Sequence, residues 1–338
     1  MRRYKLLDVL RGFAALWVLW CHSFSGDYKH LDFSNHAFLL FTQFMAVGYL
    51  GVSIFFLISG FGIAGSMERH RGKAGDFLWR RIKRVLPPYW ISLVLVLAEV
   101  ALILLLKLQK NSALPSLGKV LKALPLLFIP DLPHLNPVYW SLGYEMHFYL
   151  LATLSLLVLY RFKSLFYFFD LLSAVVLVTY ANNFSFGAWD TLFVIRYYWL
   201  DFFCGILLFR ILSRPKDWKP WVYSAFWLYA IFHVMRDAPM RYFAAPVTMI
   251  VLLILYPFDT SLSKARWMKP LFWLGKISFS LFLTNVMIGP KLLGVVDRLT
   301  IMSTGVYLVT LVIGTAGSLL LADMFYRYIE LPLAEKLD

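Results

Sequence analysis

The chain has 338 residues, of which 60% are hydrophobic, 18% aromatic and only 15% charged. Soluble proteins run nearer roughly 45–50% apolar and about 25% charged, so a disordered chain, a collagen-like repeat, a disulfide-stapled scaffold and an ordinary water-soluble protein are all excluded. The net charge of +14 would suit a nucleic-acid partner, but it has first to be set against membrane topology.

A membrane-spanning helix needs roughly 20 mostly apolar residues. Ten segments meet or approach that standard: 7–25, 41–65, 86–106, 140–160, 165–181, 192–210, 221–235, 243–258, 271–289 and 305–326. The fifth follows the fourth closely, the seventh is short, and the eighth contains Pro246, which neighbouring helices can accommodate. The expected fold is therefore all-α, a polytopic membrane protein of about ten transmembrane helices. With both ends on one face, that face holds 23 of the 33 lysines and arginines, so the positive-inside rule puts the N and C termini in the cytoplasm. The same asymmetry absorbs most of the charge, and no nucleic-acid partner is expected. Trp79, Trp90, Trp140, Trp189, Trp218, Trp221 and Trp267 fall at or near span ends, as interfacial belts require.

The first segment has the basic start of a signal peptide, but Arg11 and His22 interrupt it and no convincing cleavage site follows. It reads as a retained helix. The 107–139 connection, with Pro115, Pro125, Pro130, Pro133 and Pro137, reads as an outer loop holding a short amphipathic piece. Residues 1–338 read as a single transmembrane domain with no appended soluble domain.

Polar residues inside the spans are costly and tend to mark function. Asp8, Arg11, Ala15, Val18 and His22 follow steps of three and four along the first span, which puts them on one stripe. His22 lies eleven helical steps beyond Arg11, a rise of about 16 Å, so Arg11 belongs near the cytoplasmic level and His22 towards the far leaflet. Arg81 and Arg84 are helix neighbours in the run Arg80-Arg81-Ile82-Lys83-Arg84 before Pro87-Pro88-Tyr89-Trp90. Guanidinium forks suit phosphate oxygens, although a basic run is more often a topology signal alone. Trp140-Ser141-Leu142-Gly143-Tyr144-Glu145 opens the fourth span, and Glu145 reads as lying near the outer face, level with His22. Glu99, Asp201, Asn285 and Asp323 read as packing glue, and Gly48, Gly51, Gly60, Gly62 and Gly65 as places where helices approach closely. Cys21 and Cys204 support neither a disulfide framework nor a metal site, and no P-loop, nucleophile elbow or HExxH is present.

Taken together these stretches resemble the acyltransferase 3 family of integral-membrane O-acyltransferases that modify bacterial cell-surface glycans. The matching residues are Leu7 to Ala15 with His22, which form the family's arginine–ten residues–histidine pattern; Gly51 to Phe61; Arg81 and Arg84 leading to Pro88-Tyr89-Trp90; Trp140-Ser141-Leu142 with Glu145 and Phe148-Tyr149-Leu150; and Tyr328-Ile329-Glu330-Leu331-Pro332. One position departs: Ser278-Phe279-Ser280-Leu281-Phe282-Leu283-Thr284 leads to Asn285, where the family usually has histidine.

The resemblance implies a ten-helix core in the bacterial inner membrane. It also implies transfer of an acyl group, most often acetyl, from cytoplasmic acyl-CoA to a hydroxyl of a polysaccharide or lipid-linked glycan. Acyl-CoA is then a co-substrate, with no permanently bound cofactor and no metal, and the partners are that donor, the glycan and membrane lipids. On this reading His22 and Glu145 are catalytic, Arg11, Arg81 and Arg84 hold the CoA phosphates, and Asp8, Trp140, Ser141 and Asn285 touch substrate. The competing reading is a transporter or flippase for a lipid-linked or small anionic substrate, for which inverted repeats would speak; none is visible.

Overall fold

The computed structural model describes residues 4–24, 31–105, 114–127, 135–159, 166–182, 195–262 and 264–335. Among them every regular element is helical. In chain order the helices are α1 (Lys5–Ser23), α2 (His36–Ala46), α3 (Leu50–Arg69), α4 (Ala74–Leu105), α5 (Leu117–Ala123), α6 (Tyr139–Leu159), α7 (Tyr167–Ala181) and α8 (Ile195–Ser213). They continue with α9 (Trp218–Val234), α10 (Arg241–Leu255), α11 (Asp259–Leu262), α12 (Lys269–Thr284), α13 (Gly289–Leu299), α14 (Thr304–Phe325) and α15 (Leu331–Glu335).

A helix stands at each of the ten apolar segments. Among the described residues six stretches are long and apolar enough to cross a bilayer: 5–23, 36–69, 74–105, 139–159, 241–262 and 304–335. A seventh is possible if α12 and α13, bent by 54° at their junction, count together. The protein is thus a polytopic membrane protein. Helices α7 and α9 fall short in length, yet each presents a stripe of exposed apolar side chains at helical spacing. On α7 it is Leu171, Val175 and Val178, and on α9 Val222, Phe226 and Tyr229. Stripes of that kind suit lipid contact rather than water. Helix α8 is the opposite case, buried nearly all round from Trp199 to Leu212, as a helix at the centre of a bundle should be.

By its internal packing the chain divides into two compact units that interleave in sequence. Unit 1 comprises 1–11, 52–81 and 144–269, and unit 2 comprises 12–51, 82–143 and 270–338. The core of unit 1 is aromatic: Phe202 of α8 stacks on Phe148 of α6 at 4.2 Å and on Phe56 of α3 at 4.5 Å. Helices α3 and α8 cross through two glycines, and a Cβ on Gly60 would lie 2.1 Å from the Phe202 carbonyl oxygen. One on Gly205 would lie 2.0 Å from that of Leu57. Arg210 forms a two-pronged ion pair with Asp170, both arms at 3.0 Å, and tops the rings of Phe166 and Tyr223. Asp259 accepts from the Leu6 N–H at 2.9 Å and so caps α1 from a distance.

In unit 2, α1 packs against the α2–α3 junction. A Cβ on Gly48 would meet the Trp17 carbonyl oxygen at 2.3 Å, and one on Gly51 that of Ala14 at 2.8 Å. Leu31, Phe38, Met45, Leu293, Met302, Tyr307 and Leu311 form its apolar core. The Pro88-Tyr89-Trp90 stretch has a structural task here: the Tyr89 hydroxyl donates to the Ala123 carbonyl at 3.1 Å and the Trp90 indole to that of Leu124 at 2.9 Å. Together they pin the end of α5, the short helix expected in the 107–139 connection. Of the five glycines expected at close approaches, Gly48, Gly51 and Gly60 meet backbone and Gly65 meets the Phe209 ring, whereas Gly62 has open space beside it. Gly62 faces away from the seam because it lies two residues, about 200° of turn, from Gly60. Trp189 lies outside the described residues; Trp79, Trp90, Trp218, Trp221 and Trp267 are exposed.

Candidate functional site

The site begins on α1, which runs unbroken from Lys5 to Ser23. Its predicted stripe is real: Ala15 and Val18 are buried, and Asp8, Arg11 and His22 half-buried on the same face. The small Gly12 and Ala14 beside them sit where neighbouring helices come close. A lipid-facing stripe would not bury its middle. Asp8 and Arg11 belong to unit 1, and His22 to unit 2.

In unit 1, Glu145 lies in the second turn of α6 and accepts two hydroxyl hydrogen bonds. One comes from Ser59 of α3 and the other from Tyr149, one turn further along α6, at 2.5 Å. Both hydroxyls donate to the same carboxylate oxygen, Oε1. Tyr149 is also the platform for Arg81, whose guanidinium carbon lies 5.7 Å from its ring centroid and 5.6 Å from that of Phe77. The sequence reading sets Glu145 a short way inside the outer face and Arg81 in a basic cytoplasmic run, and foresees no link between them through Tyr149. The run is helical, as the spacing of Arg81 and Arg84 predicts: α4 begins at Ala74, so Arg81 stands about 10 Å into a helix, one tyrosine away from Glu145. Arg81 is half-buried, while Arg84, three residues on, is exposed.

Unit 2 holds the other expected residues. The Ser141 hydroxyl donates to the Val138 carbonyl at 3.1 Å, steadying the first turn of α6, and Trp140 is half-buried beside it. Asn285 is wholly buried just past the end of α12, and neither atom of its amide has a hydrogen-bond partner among the described residues. On the same helix Ser280 donates to Glu330 at 2.5 Å. Glu330 lies on a π-turn, Tyr326–Glu330, between α14 and α15. This joins the two late stretches singled out in the sequence, and π-turns are rare features often found at functional sites.

The weaker polar candidates are mostly packing glue. Glu99 pairs with Lys291. Asp323 accepts from the Trp273 indole at 3.0 Å and pairs with Arg327 at 2.7 Å. Asp201, buried in α8, is hydrogen-bonded by Ser53. Sequence reasoning missed Ser59, whose hydroxyl is an unremarkable letter in an apolar run, and the Ser280–Glu330 bond, which links positions 50 residues apart.

A family model described as an acyltransferase domain, that of acyltransferase 3, matches residues 4–325, nearly the whole chain. The chain belongs to the acyltransferase 3 family. It is accordingly a membrane acyltransferase. No curated protein and no solved structure matches the chain. Within the acyltransferase 3 match lie all the stretches just described up to Phe325, including α1 with Arg11 and His22, the Arg81–Tyr149–Glu145–Ser59 chain of contacts, and Asn285. The Glu330 π-turn falls just beyond its end.

Proposed function

We propose that this acyltransferase moves an acyl group, acetyl in the first instance, from cytoplasmic acyl-CoA to a hydroxyl of a cell-surface or lipid-linked glycan, across a bacterial inner membrane. The observation that carries the reading is α1 itself, one unbroken helix with a half-buried arginine at one level and a half-buried imidazole about 16 Å further on along the same face. Acyl-CoA is made inside and surface glycans are reached outside, so a catalyst for both needs groups spread along the membrane normal. His22 acts as general base on the acceptor hydroxyl, a poor nucleophile at neutral pH that imidazole is suited to assist. Trp140, Ser141, Asp8 and Asn285 contact substrate. A transporter without chemistry predicts no cleavage of the thioester: release of free CoA from labelled acetyl-CoA by the purified protein and an envelope-glycan extract separates the two.

Arg11, Arg81 and Arg84 hold the CoA phosphates. Each charge-assisted contact contributes about 1.5–3 kcal/mol, so single alanine substitutions should weaken acyl-CoA binding roughly ten- to a hundredfold, with poor rescue by lysine at a two-pronged site. Because Arg81 rests on Tyr149 and Arg84 is exposed, Arg81→Ala should have the larger effect. Unchanged affinity in both would reduce the run to a topology signal. Glu145 is a catalytic-site acid with two possible tasks, and Glu145→Gln tells them apart. If it orients the His22 imidazole, turnover falls while acyl-CoA affinity holds. If it steadies Tyr149 beneath Arg81, the affinity falls with the turnover.

Ten spans with both termini cytoplasmic complete the proposal, supported by the basic asymmetry and the lipid-type stripes of α7 and α9. In a background lacking Cys21 and Cys204, single cysteines at Lys73 and Ser213 should react only from inside, and those at Leu117 and Asp237 from outside. Outside-only labelling at Lys73 or Ser213 would reverse the assignment.

A further inference from the structure

Helices α12 and α13 are bent by 54° where they meet, and the bend is fixed in place. The Gly289 N–H donates to the Ser318 hydroxyl at 3.0 Å, and a Cβ on Gly314 would lie 3.0 Å from the Gly289 Cα. The two backbones therefore touch at the start of α13. Irregular backbone at membrane depth is tolerated where protein surrounds it, and broken helices commonly present polar groups to a substrate.

Within this junction the polar side chains are almost all engaged. Ser278 donates to the Gly275 carbonyl, Ser280 to Glu330, and Thr284 to the Ser280 carbonyl. The exception is Asn285, with 0% of its surface exposed and both its amide oxygen and its amide nitrogen unpartnered. A carboxamide kept for packing would be bonded or replaced by an apolar residue, since burying an unsatisfied donor and acceptor is destabilising. An amide with its donor and acceptor both uncommitted is what recognition of a carbonyl oxygen requires.

Its height relative to α1 can be counted. A Cβ on Gly12 would lie 2.6 Å from the Gly275 backbone nitrogen, so the two helices touch at that point. Both leave basic segments that the charge asymmetry puts on one face, and both run away from it. Ten residues beyond the contact on α1 is His22; ten beyond Gly275, just past the last residue of α12, is Asn285. Each step is about 15 Å along its helix, so amide and imidazole reach the same level.

We infer that the Asn285 side-chain N–H donates to the thioester carbonyl oxygen and stabilises the oxyanion of the tetrahedral intermediate; this rests on the acyl-transfer reading above. The acceptor hydroxyl gives its proton to His22, its oxygen bonds to the thioester carbon, and the carbonyl electron pair moves onto the oxygen facing Asn285. Collapse re-forms the carbonyl and breaks the carbon–sulfur bond, and the CoA thiolate leaves with the proton that His22 held. Asparagine suits this task because it donates at any pH and carries no proton through the cycle.

The test uses the full-length protein in lipid nanodiscs with acetyl-CoA and an envelope-glycan extract, measuring CoA release, acetyl-CoA affinity and thermal stability. Asn285→Leu, of similar volume and without the orphan groups, should slow turnover by roughly 10²–10³. Its acetyl-CoA affinity should stay within about threefold and its melting temperature should not fall. Asn285→His, which retains an N–H donor, should recover part of the loss. Turnover within about threefold of the parent in Asn285→Leu overturns the assignment. So does a loss matched by lower melting temperature and absent recovery in Asn285→His, which would mark the amide as structural. If the unsubstituted protein itself releases no CoA, the acyl-transfer reading fails and this one with it.

Discussion

Replacing His22 by alanine is expected to abolish detectable acyl transfer while leaving the protein folded in the membrane and able to bind acyl-CoA. General-base assistance contributes typically 10²–10⁴ in rate, and no other imidazole lies on the buried stripe of α1. His22 sits near the end of the helix, where the partly buried side chain is not among the core residues that hold α1 in place. Those are Ala14, Ala15, Val18 and Leu19. Truncation should therefore cost little stability. Single-turnover measurements with saturating acetyl-CoA, alongside separate determination of its affinity, decide the matter. Near-normal turnover in His22→Ala would remove the base from the mechanism, and a protein that no longer folds would make the imidazole structural.

The largest expected effect on folding is at the crossing of α3 and α8. An alanine at Gly205 would put its methyl 2.0 Å from the Leu57 carbonyl oxygen and 2.6 Å from the Phe61 nitrogen; one at Gly60 would meet the Phe202 backbone at 2.1 Å. Overpacking typically costs about 1–3 kcal/mol and sometimes more, and here the obstructing atoms are backbone, which cannot rotate aside. Gly60→Ala and Gly205→Ala should each lower the melting temperature in detergent and the yield of monodisperse protein, and the pair together should prevent unit 1 from forming. Gly62→Ala is the internal control. Nothing lies within 4 Å of its Cβ position, and replacing a mid-helix glycine by alanine should stabilise by about 0.5–1 kcal/mol. Equal behaviour of Gly60→Ala and Gly62→Ala would mean that the crossing is looser than the packing distances require.

Much of this was legible from residue types alone, because lipid enforces simple rules. Apolar length located the helices, and the 3-4-3-4 spacing on α1 identified a stripe whose middle is indeed buried. Close approach by small residues was foreseen at Gly48, Gly51 and Gly60, but Gly62 shows the limit of composition: in the same helix, two positions apart, one glycine meets a neighbour and the other does not. Helix phase relative to a partner decides that, and phase is a tertiary property. Gly205 escaped for the same reason, a lone glycine in an otherwise bulky helix. Glu145 was singled out as a residue needing a partner, with a histidine, a tyrosine or the backbone in view; the tyrosine is Tyr149, and Ser59 was not foreseen. A hydroxyl within an apolar run carries no signal until two helices are brought together. The link from Arg81 through Tyr149 to Glu145 was not foreseen, because it exists only once α4 and α6 are brought together.

The continuity of α1 has a mechanical consequence. Arg11 and His22 ride on one rod with no joint between them, so their separation is a gauge set by covalent structure rather than by the packing of other helices. Inserting a single residue after Ala15 would lengthen the gauge by only about 1.5 Å but swing the imidazole roughly 100° around the axis, off the face that Arg11 occupies. Inserting seven would restore the bearing to within about 20° while moving His22 about 10 Å further along. Neither change leaves both distance and direction intact, and a donor that must reach from one residue to the other is measured against both.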